Sequence, residues 1–185
     1  MVKVTLLGDS IRQLGYGARV PEMLGAGYKV FQPEENCRFV KYTLRMLFDY
    51  RDQIKDSDVI LWNNGLWDIP DKLFDDGEPF TNEQEYVVNM LRVAKELKKL
   101  GRRVIFATTT PVRYEHPYND NTLINRYNKI IVPKLQEIGI EINDLHSLIM
   151  QDVYKYICDD NIHLSEEGIN VCSKQVVKAI KGSNF

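Results

Sequence analysis

An α/β domain, with a parallel sheet covered by helices on both faces, is what this sequence predicts, on three observations. Short apolar runs alternate along the chain with helix-length amphipathic segments. One run, "DVILW" at residues 58–62, is β-rich and bounded by polar residues, the pattern of a buried parallel strand. The length of 185 residues, with 44% apolar composition, suits one domain spanning 1–185 and filling a single core.

The elements follow in order. Val2 to Leu7 reads as the first strand, and Ile11 to Leu24 as a helix interrupted by Gly15 and Gly17. Tyr28 to Phe31 is the second strand, followed by a helix with apolar residues at Phe39, Leu44, Leu47 and Phe48. After the third strand at 58–62 comes the clearest helix, "NEQEYVVNMLRVAKELKKLG", with Thr81 or Asn82 as cap and Gly101 as stop. "RVIFATTT" is strand four, ended by Pro111. The helix "NTLINRYNKIIVPKLQEIG" should kink or break at Pro133. "IEIND" is a short fifth strand, and helices around Leu145 to Ile157 and Ser165 to Ile180 close the chain.

Lys and Arg number 24 against 26 Asp and Glu, a net charge of −2, so no electrostatic case exists for nucleic acid or an anionic membrane. The basic run "KELKKLGRR" reads as a solvated helix end. Three cysteines, Cys37, Cys158 and Cys172, lack a C-x-x-C spacing, which argues against a zinc knuckle and for a reducing compartment. Pairing of Cys158 with Cys172 is left open. The first apolar run ends at Gly8, too short for a signal-peptide core, so the expected location is the cytoplasm.

Two long connections, after strands three and four, leave the carboxyl edge of the sheet, where doubly wound folds bind ligands. Polar clusters fall at the same edge: Gly8-Asp9-Ser10, "PEENCRF", and "NNGLWD". A further cluster, "CDDNIHLSEEG", places Asp160 three residues before His163, a spacing that suits a tight turn bringing carboxylate to imidazole. Hydrolytic serine chemistry needs such a pair, a hydroxyl and oxyanion donors. Ser10, opening a helix, supplies a hydroxyl and a backbone N–H; read alone, the same residue is an ordinary helix cap.

These blocks resemble the SGNH/GDSL hydrolases over nearly the whole chain. "LLGDSI" is similar to their first block, with Ser10 as nucleophile, and "DDNIHLSEEG" to their last, with Asp160 and His163. The resemblance implies a flavodoxin-like three-layer α/β/α sandwich with a five-stranded parallel sheet, and esterase or acylhydrolase activity through a Ser-His-Asp triad without metal or cofactor. The middle blocks depart from the pattern. The glycine donor of the second block falls near Cys37, read either as a backbone N–H donor or as a small buried residue. The asparagine of the third block is replaced by Trp67; Asn64 is the preferred amide donor, with Asn63, the Trp67 indole and a purely turn-shaping role as alternatives. The resemblance excludes the α/β-hydrolase elbow, since Gly-x-Ser-x-Gly is absent.

The expected oxyanion hole is therefore Ser10, Cys37 and Asn64, and the candidate substrate contacts are Asp9, Trp67 and Arg38. Asp9 is expected also to hydrogen-bond the loop backbone. Arg12 and Arg38 read as binders of a polar group or as helix-surface arginines. Trp67, Tyr114, His116 and Tyr118, set among polar residues, suit a sugar ring, so the expected substrate is a short-acyl, acetyl-type ester of a carbohydrate or another polar alcohol. The alternatives are a small-lipid or thioester hydrolase, a catalytically silent glycan-binding domain, and a nucleotide or flavin module. The last is disfavoured by the lack of a Gly-rich phosphate loop.

Overall fold

The computed structural model describes residues 1–182. Five strands, β1 (Val2–Leu7), β2 (Tyr28–Phe31), β3 (Ser57–Trp62), β4 (Gly101–Ala107) and β5 (Glu141–Asn143), form one sheet in the order β2-β1-β3-β4-β5. Every pairing is parallel. This is the expected three-layer α/β/α fold, and its strand order reverses between β1 and β3. The strands are apolar because both faces are covered. From Val59 to Trp62 in β3 and from Val104 to Ala107 in β4 every residue is buried, and Trp62 packs on its register partner Phe106 at 4.9 Å between ring centroids.

The helices are α1 (Val20–Leu24), α2 (Val40–Asp49), α3 (Arg51–Ile54), α4 (Glu83–Leu100), α5 (Asn121–Glu137), α6 (Leu145–Met150), α7 (Val153–Tyr156) and α8 (Glu166–Lys181). Helix α4 packs between α2 and α5, while α8 packs against α1, α6 and α7. Side chains cap the helices as their types predict: Asn82 accepts from the Glu85 N–H, Asp120 from Thr122 and Leu123, and Ser165 from Gly168. Among the described residues, no helix is long and apolar enough to cross a membrane, and all three cysteines are free.

Four expectations are corrected. The segment after β1 is not one interrupted helix but a π-helical turn (Ile11–Gly15), a 3-10 turn (Tyr16–Ala18) and the short α1. Pro133 does not break α5: it lies on the exposed side of a helix that runs through it from Asn121 to Glu137. The helix expected from Leu145 to Ile157 divides into α6 and α7, because Asp152 caps a new turn by accepting from the Lys155 N–H. In α2 the core face is Val40, Thr43, Met46 and Leu47, and Phe48 points to solvent.

Asp68 ties the loop after β3 to this frame. Its buried carboxylate accepts the Val40 N–H at the start of α2 (3.1 and 3.2 Å) and the Thr81 hydroxyl (2.8 Å). Burial dominates over those bonds and pushes the Asp68 carboxyl from its ordinary 3.8 up to about 7. Between these values the folded chain holds more protons than the unfolded chain, so this contribution to stability is lost as pH rises through the window. Unfolding free energies of wild type and Asp68→Asn, measured from about pH 4 to about pH 7, should differ in slope by up to about 1.4 kcal/mol per pH unit, the variant lacking the share of the decline that Asp68 supplies. Parallel curves would exclude Asp68 as the source.

At the start of α8, a Cβ added to Gly168 would lie 2.1 Å from the Tyr156 carbonyl oxygen, so this helix can dock on the end of α7 only with glycine there. Gly168→Ala should destabilise the chain by about 1–3 kcal/mol in denaturant unfolding, the usual cost of overpacking against fixed backbone.

Candidate active site

The carboxyl ends of β1, β3 and β4 meet in one rim, and the turn after β1 decides what Ser10 can do. Asp9, 1% exposed, performs the capping: its Oδ1 accepts the Ile11 N–H (3.0 Å), and its carbonyl accepts the N–H groups of Arg12 and Gln13. The Asn63 amide donates to the same Oδ1 (2.7 Å) while its oxygen accepts the Tyr16 hydroxyl (2.8 Å), linking the exits of β1 and β3. Ser10 itself has helical φ and ψ and makes no side-chain cap bond. A Cβ at Gly8 would fall 2.0 Å from Asn63 Oδ1, which explains the glycine two residues before Ser10.

Asp9 is thus no substrate contact; it is a buried staple of the turn, which corrects that expectation. Its Oδ2 has no partner. Desolvation raises its carboxyl from 3.8 to about 6, against the opposing pull of the Ile11 N–H, the Asn63 amide, Arg12 and His163.

Arg12 is a second correction, since it is 2% exposed rather than on a helix surface. Its guanidinium donates to the carbonyls of Pro33 (2.8 Å), Glu35 (2.6 Å) and Gly8 (3.3 Å), fastening the loop after β2 to the turn after β1. In that loop the Cys37 N–H donates to the Gly8 carbonyl (3.0 Å), and Cys37 Sγ accepts the Gly8 N–H (3.1 Å). The Cys37 amide is therefore committed and does not point into an oxyanion site. The Asn64 amide spends one of its two N–H groups on the Arg38 carbonyl (2.9 Å), while its oxygen accepts the Thr43 hydroxyl (3.0 Å). The Asn63 amide likewise spends one N–H on Asp9, and the Trp67 side chain on the same loop is exposed. Arg38 is exposed and adopts a left-handed backbone (φ 47°), with its guanidinium 4.9 Å from the Tyr42 ring centre.

Asp160 and His163 meet as their spacing predicts. Asp160 Oδ1 accepts the N–H groups of Ile162 (3.1 Å) and His163 (3.0 Å), and Oδ2 pairs with His163 Nδ1 at 2.7 Å. Partial burial pushes the Asp160 carboxyl up, but these bonds outweigh it and hold the carboxyl below its ordinary value, ionised. Asn161, at φ 71°, turns the corner between them. This turn abuts the Ser10 segment. The Leu164 side chain packs on Gly15, Arg19 pairs with Glu166, and the His163 charge is felt at Asp9. No hydrogen bond joins the Ser10 hydroxyl to His163 among the described residues; the ring's bond is the one to Asp160.

His116 lies in the field of Asp160 and His163, and desolvation lowers its pKa. Its Nδ1 accepts from the N–H groups of Tyr118 (3.3 Å) and Asn119 (2.9 Å), leaving the proton on Nε2. Tyr114 and Tyr118 on the same loop are exposed. Sequence pattern missed Arg12 and the commitments of Cys37 and Asn64, because hydrogen bonds between distant loops leave no local signature. Among the described residues, no group of three His, Cys, Asp or Glu side chains is placed to hold a metal ion.

No protein-family model matches the chain. It is 26% identical to the GDSL esterase/lipase CPRD49 of Arabidopsis thaliana, aligned over 99% of this chain and 80% of that protein. It is also 26% identical to an acetylxylan esterase of Xylanibacter ruminicola, over 97% of this chain but only 43% of that longer protein. Among solved structures, the lipase/acylhydrolase from Enterococcus faecalis superposes with a TM-score of 0.80 at 17% identity, covering 98% of this chain and 96% of that one. The chain thus shares its five-stranded parallel fold with that solved lipase/acylhydrolase and is similar along nearly its whole length to a protein named a GDSL esterase/lipase.

Proposed function

We propose that the chain is a serine esterase that removes a short acyl group, acetyl above all, from a carbohydrate or another polar alcohol. The observations that carry this reading are the Asp160–His163 pair at 2.7 Å, on a turn whose flanking residues touch the segment after β1, and a serine hydroxyl released from capping by Asp9. Asp160 fixes the proton on Nδ1, so Nε2 is the basic nitrogen. On substrate binding Nε2 takes the Ser10 proton as Oγ attacks the ester carbonyl, a contact that tightens only in the complex. The tetrahedral oxyanion is met by the Ser10 N–H, aided by the helical turn that follows, and by a side-chain donor of the third block, the Trp67 indole N–H or the second N–H of the Asn64 amide, in place of the committed Cys37 N–H. Collapse breaks the ester C–O bond, and the alcohol leaves with the proton from His163. Water, deprotonated by the same imidazole, then releases the acid and restores Ser10.

The choice of substrate is supported by the exposed aromatic groups of Trp67, Tyr114 and Tyr118 beside the Nε2–H donor of His116, and by kinship to a protein named for acetylxylan. A small-lipid ester is the second reading, favoured by Leu73 and Phe74, exposed on the loop that carries Trp67. The three unpaired cysteines fit a reducing, cytoplasmic setting as part of the same proposal.

Wild type and Ser10→Ala should be compared on acetylated xylo-oligosaccharides, a short aryl acetate and a long-chain aryl ester. Ser10→Ala should lose at least about 10³-fold in kcat/KM, together with covalent labelling by an organophosphonate. Equal hydrolysis by both proteins would reject the serine mechanism, and preference for the long-chain ester would move the substrate to lipid.

A further inference from the structure

The His163 turn has little structure of its own. It comprises residues 158–163, closed by the bonds Cys158 N–H to His163 O (2.7 Å) and Asn161 N–H to Cys158 O (3.0 Å), and bordered by the isolated bridge between Ile157 and Leu164. A turn so short, with His163 and Asp160 partly exposed, sets the direction of Nε2 only if something outside it fixes its position.

That support comes from the loop after β4. The Arg113 N–H donates to the carbonyl of Asn161 (2.9 Å), the left-handed residue between Asp160 and His163. Its guanidinium donates through Nη2 to the carbonyls of Ile157 (2.5 Å) and Tyr154 (3.0 Å) and through Nη1 to Asp159 (2.7 Å). It also lies 5.5 Å from the Tyr154 ring centre. Tyr154 and Ile157 stand at the end of α7, where the carbonyls lack helical partners and favour a cation. The Arg113 side chain is only 16% exposed, whereas Asp159 is 98% exposed, so the ion pair is screened and the carbonyl bonds do the holding. The guanidinium meets two carbonyls through one nitrogen and a carboxylate through another, a planar fork that an ammonium, with its three donors on a single nitrogen, does not match.

We infer that Arg113 is the positioning residue of the esterase site, clamping the Asp160–His163 turn to the rim loop so that the imidazole faces Ser10. The inference rests on the serine-esterase reading above. Arg113 touches neither the ester nor the reacting atoms; it acts through the placement of His163. Because Tyr114, His116 and Tyr118 follow it directly, the clamp also joins the loop proposed to meet the sugar to the turn that supplies the base, so a substrate seated on the rim holds the base in place.

The test compares wild type, Arg113→Ala, Arg113→Lys and Ser10→Ala on one short aryl acetate, with thermal unfolding of each. Arg113→Ala should lower kcat by about 10- to 100-fold, the scale of a misplaced catalytic group, with KM within about twofold. The rate of organophosphonate labelling should fall in parallel, and added guanidinium ion should restore part of both rates. Arg113→Lys, which keeps the charge and the apolar stem, should remain folded and still lose kcat; it decides the matter if Arg113→Ala does not fold. Wild-type kcat and labelling in the lysine variant, or a loss in the alanine variant confined to KM and unmoved by guanidinium, would overturn the clamp. Full activity in Ser10→Ala would instead remove the serine reading itself, a separate outcome.

Discussion

The site depends on a buried carboxylate doing the work that the neighbouring hydroxyl would otherwise do. A serine opening a helix normally spends its oxygen on an orphan N–H of the first turn. Here Asp9 takes the Ile11 N–H, and the Asn63 amide pins Asp9 from the next strand, so Ser10 keeps its hydroxyl. The cost is a desolvated acid with one unpartnered oxygen, its pKa raised to about 6. The same few residues stitch three strand exits together. Gly8 bonds to Cys37 in both directions, Arg12 grips Gly8, Pro33 and Glu35, and Asn63 joins Asp9 to Tyr16. Placement of Ser10, the proposed nucleophile, is thus a property of loops locked to one another at the point where strand order reverses.

This division between pattern and tertiary commitment explains what was legible beforehand. The five strands and the long helices α4, α5 and α8 show in hydrophobic periodicity because burial on a regular element repeats along the chain. Asp160 and His163 were legible for a related reason: a tight turn brings residues three apart into contact whatever surrounds them. Arg12 misled because charge alone reads as surface, and nothing near it in sequence reveals the three carbonyls that pay for its burial. Cys37 and Asn64 show the same in reverse. Each is of a type that can donate, but which of its donors is free depends on partners far away in the chain, Gly8 for one and Arg38 for the other.

The commitments of the two asparagines bear on how an unusual third block still fits an oxyanion. An amide carries two N–H groups, and Asn63 and Asn64 each spend one, on Asp9 and on the Arg38 carbonyl. Asn64 is fully buried and bonded through its oxygen and one N–H, so its second N–H can serve an oxyanion only from the position those bonds fix. The Trp67 indole is under no such constraint. It is donor-only, exposed, and held on a backbone fixed by the Asp68 and Ile69 N–H groups, both of which donate to the Gly65 carbonyl. A fixed N–H on a rigid ring loses little freedom when it meets a developing charge, which is the requirement for preorganised stabilisation.

The rim differs from the stitched floor in what it can vary. Tyr114 and Tyr118 stand on a loop whose anchors, Arg113 to the His163 turn and Asn119 to Leu66, use guanidinium, amide and backbone groups and leave the ring positions exposed. Changing those rings alters the surface that an alcohol would meet without breaking a bond that orients Asp160 or Ser10. Floor residues have no such latitude, since Asp9, Asn63 and Arg12 each hold two or more partners at once. On the proposed reading, chemistry is thereby fixed by the buried polar stitching and selectivity by the exposed aromatics. Arg113 stands where the two meet, which makes it the one rim-loop side chain whose loss should be felt at the imidazole rather than at the alcohol.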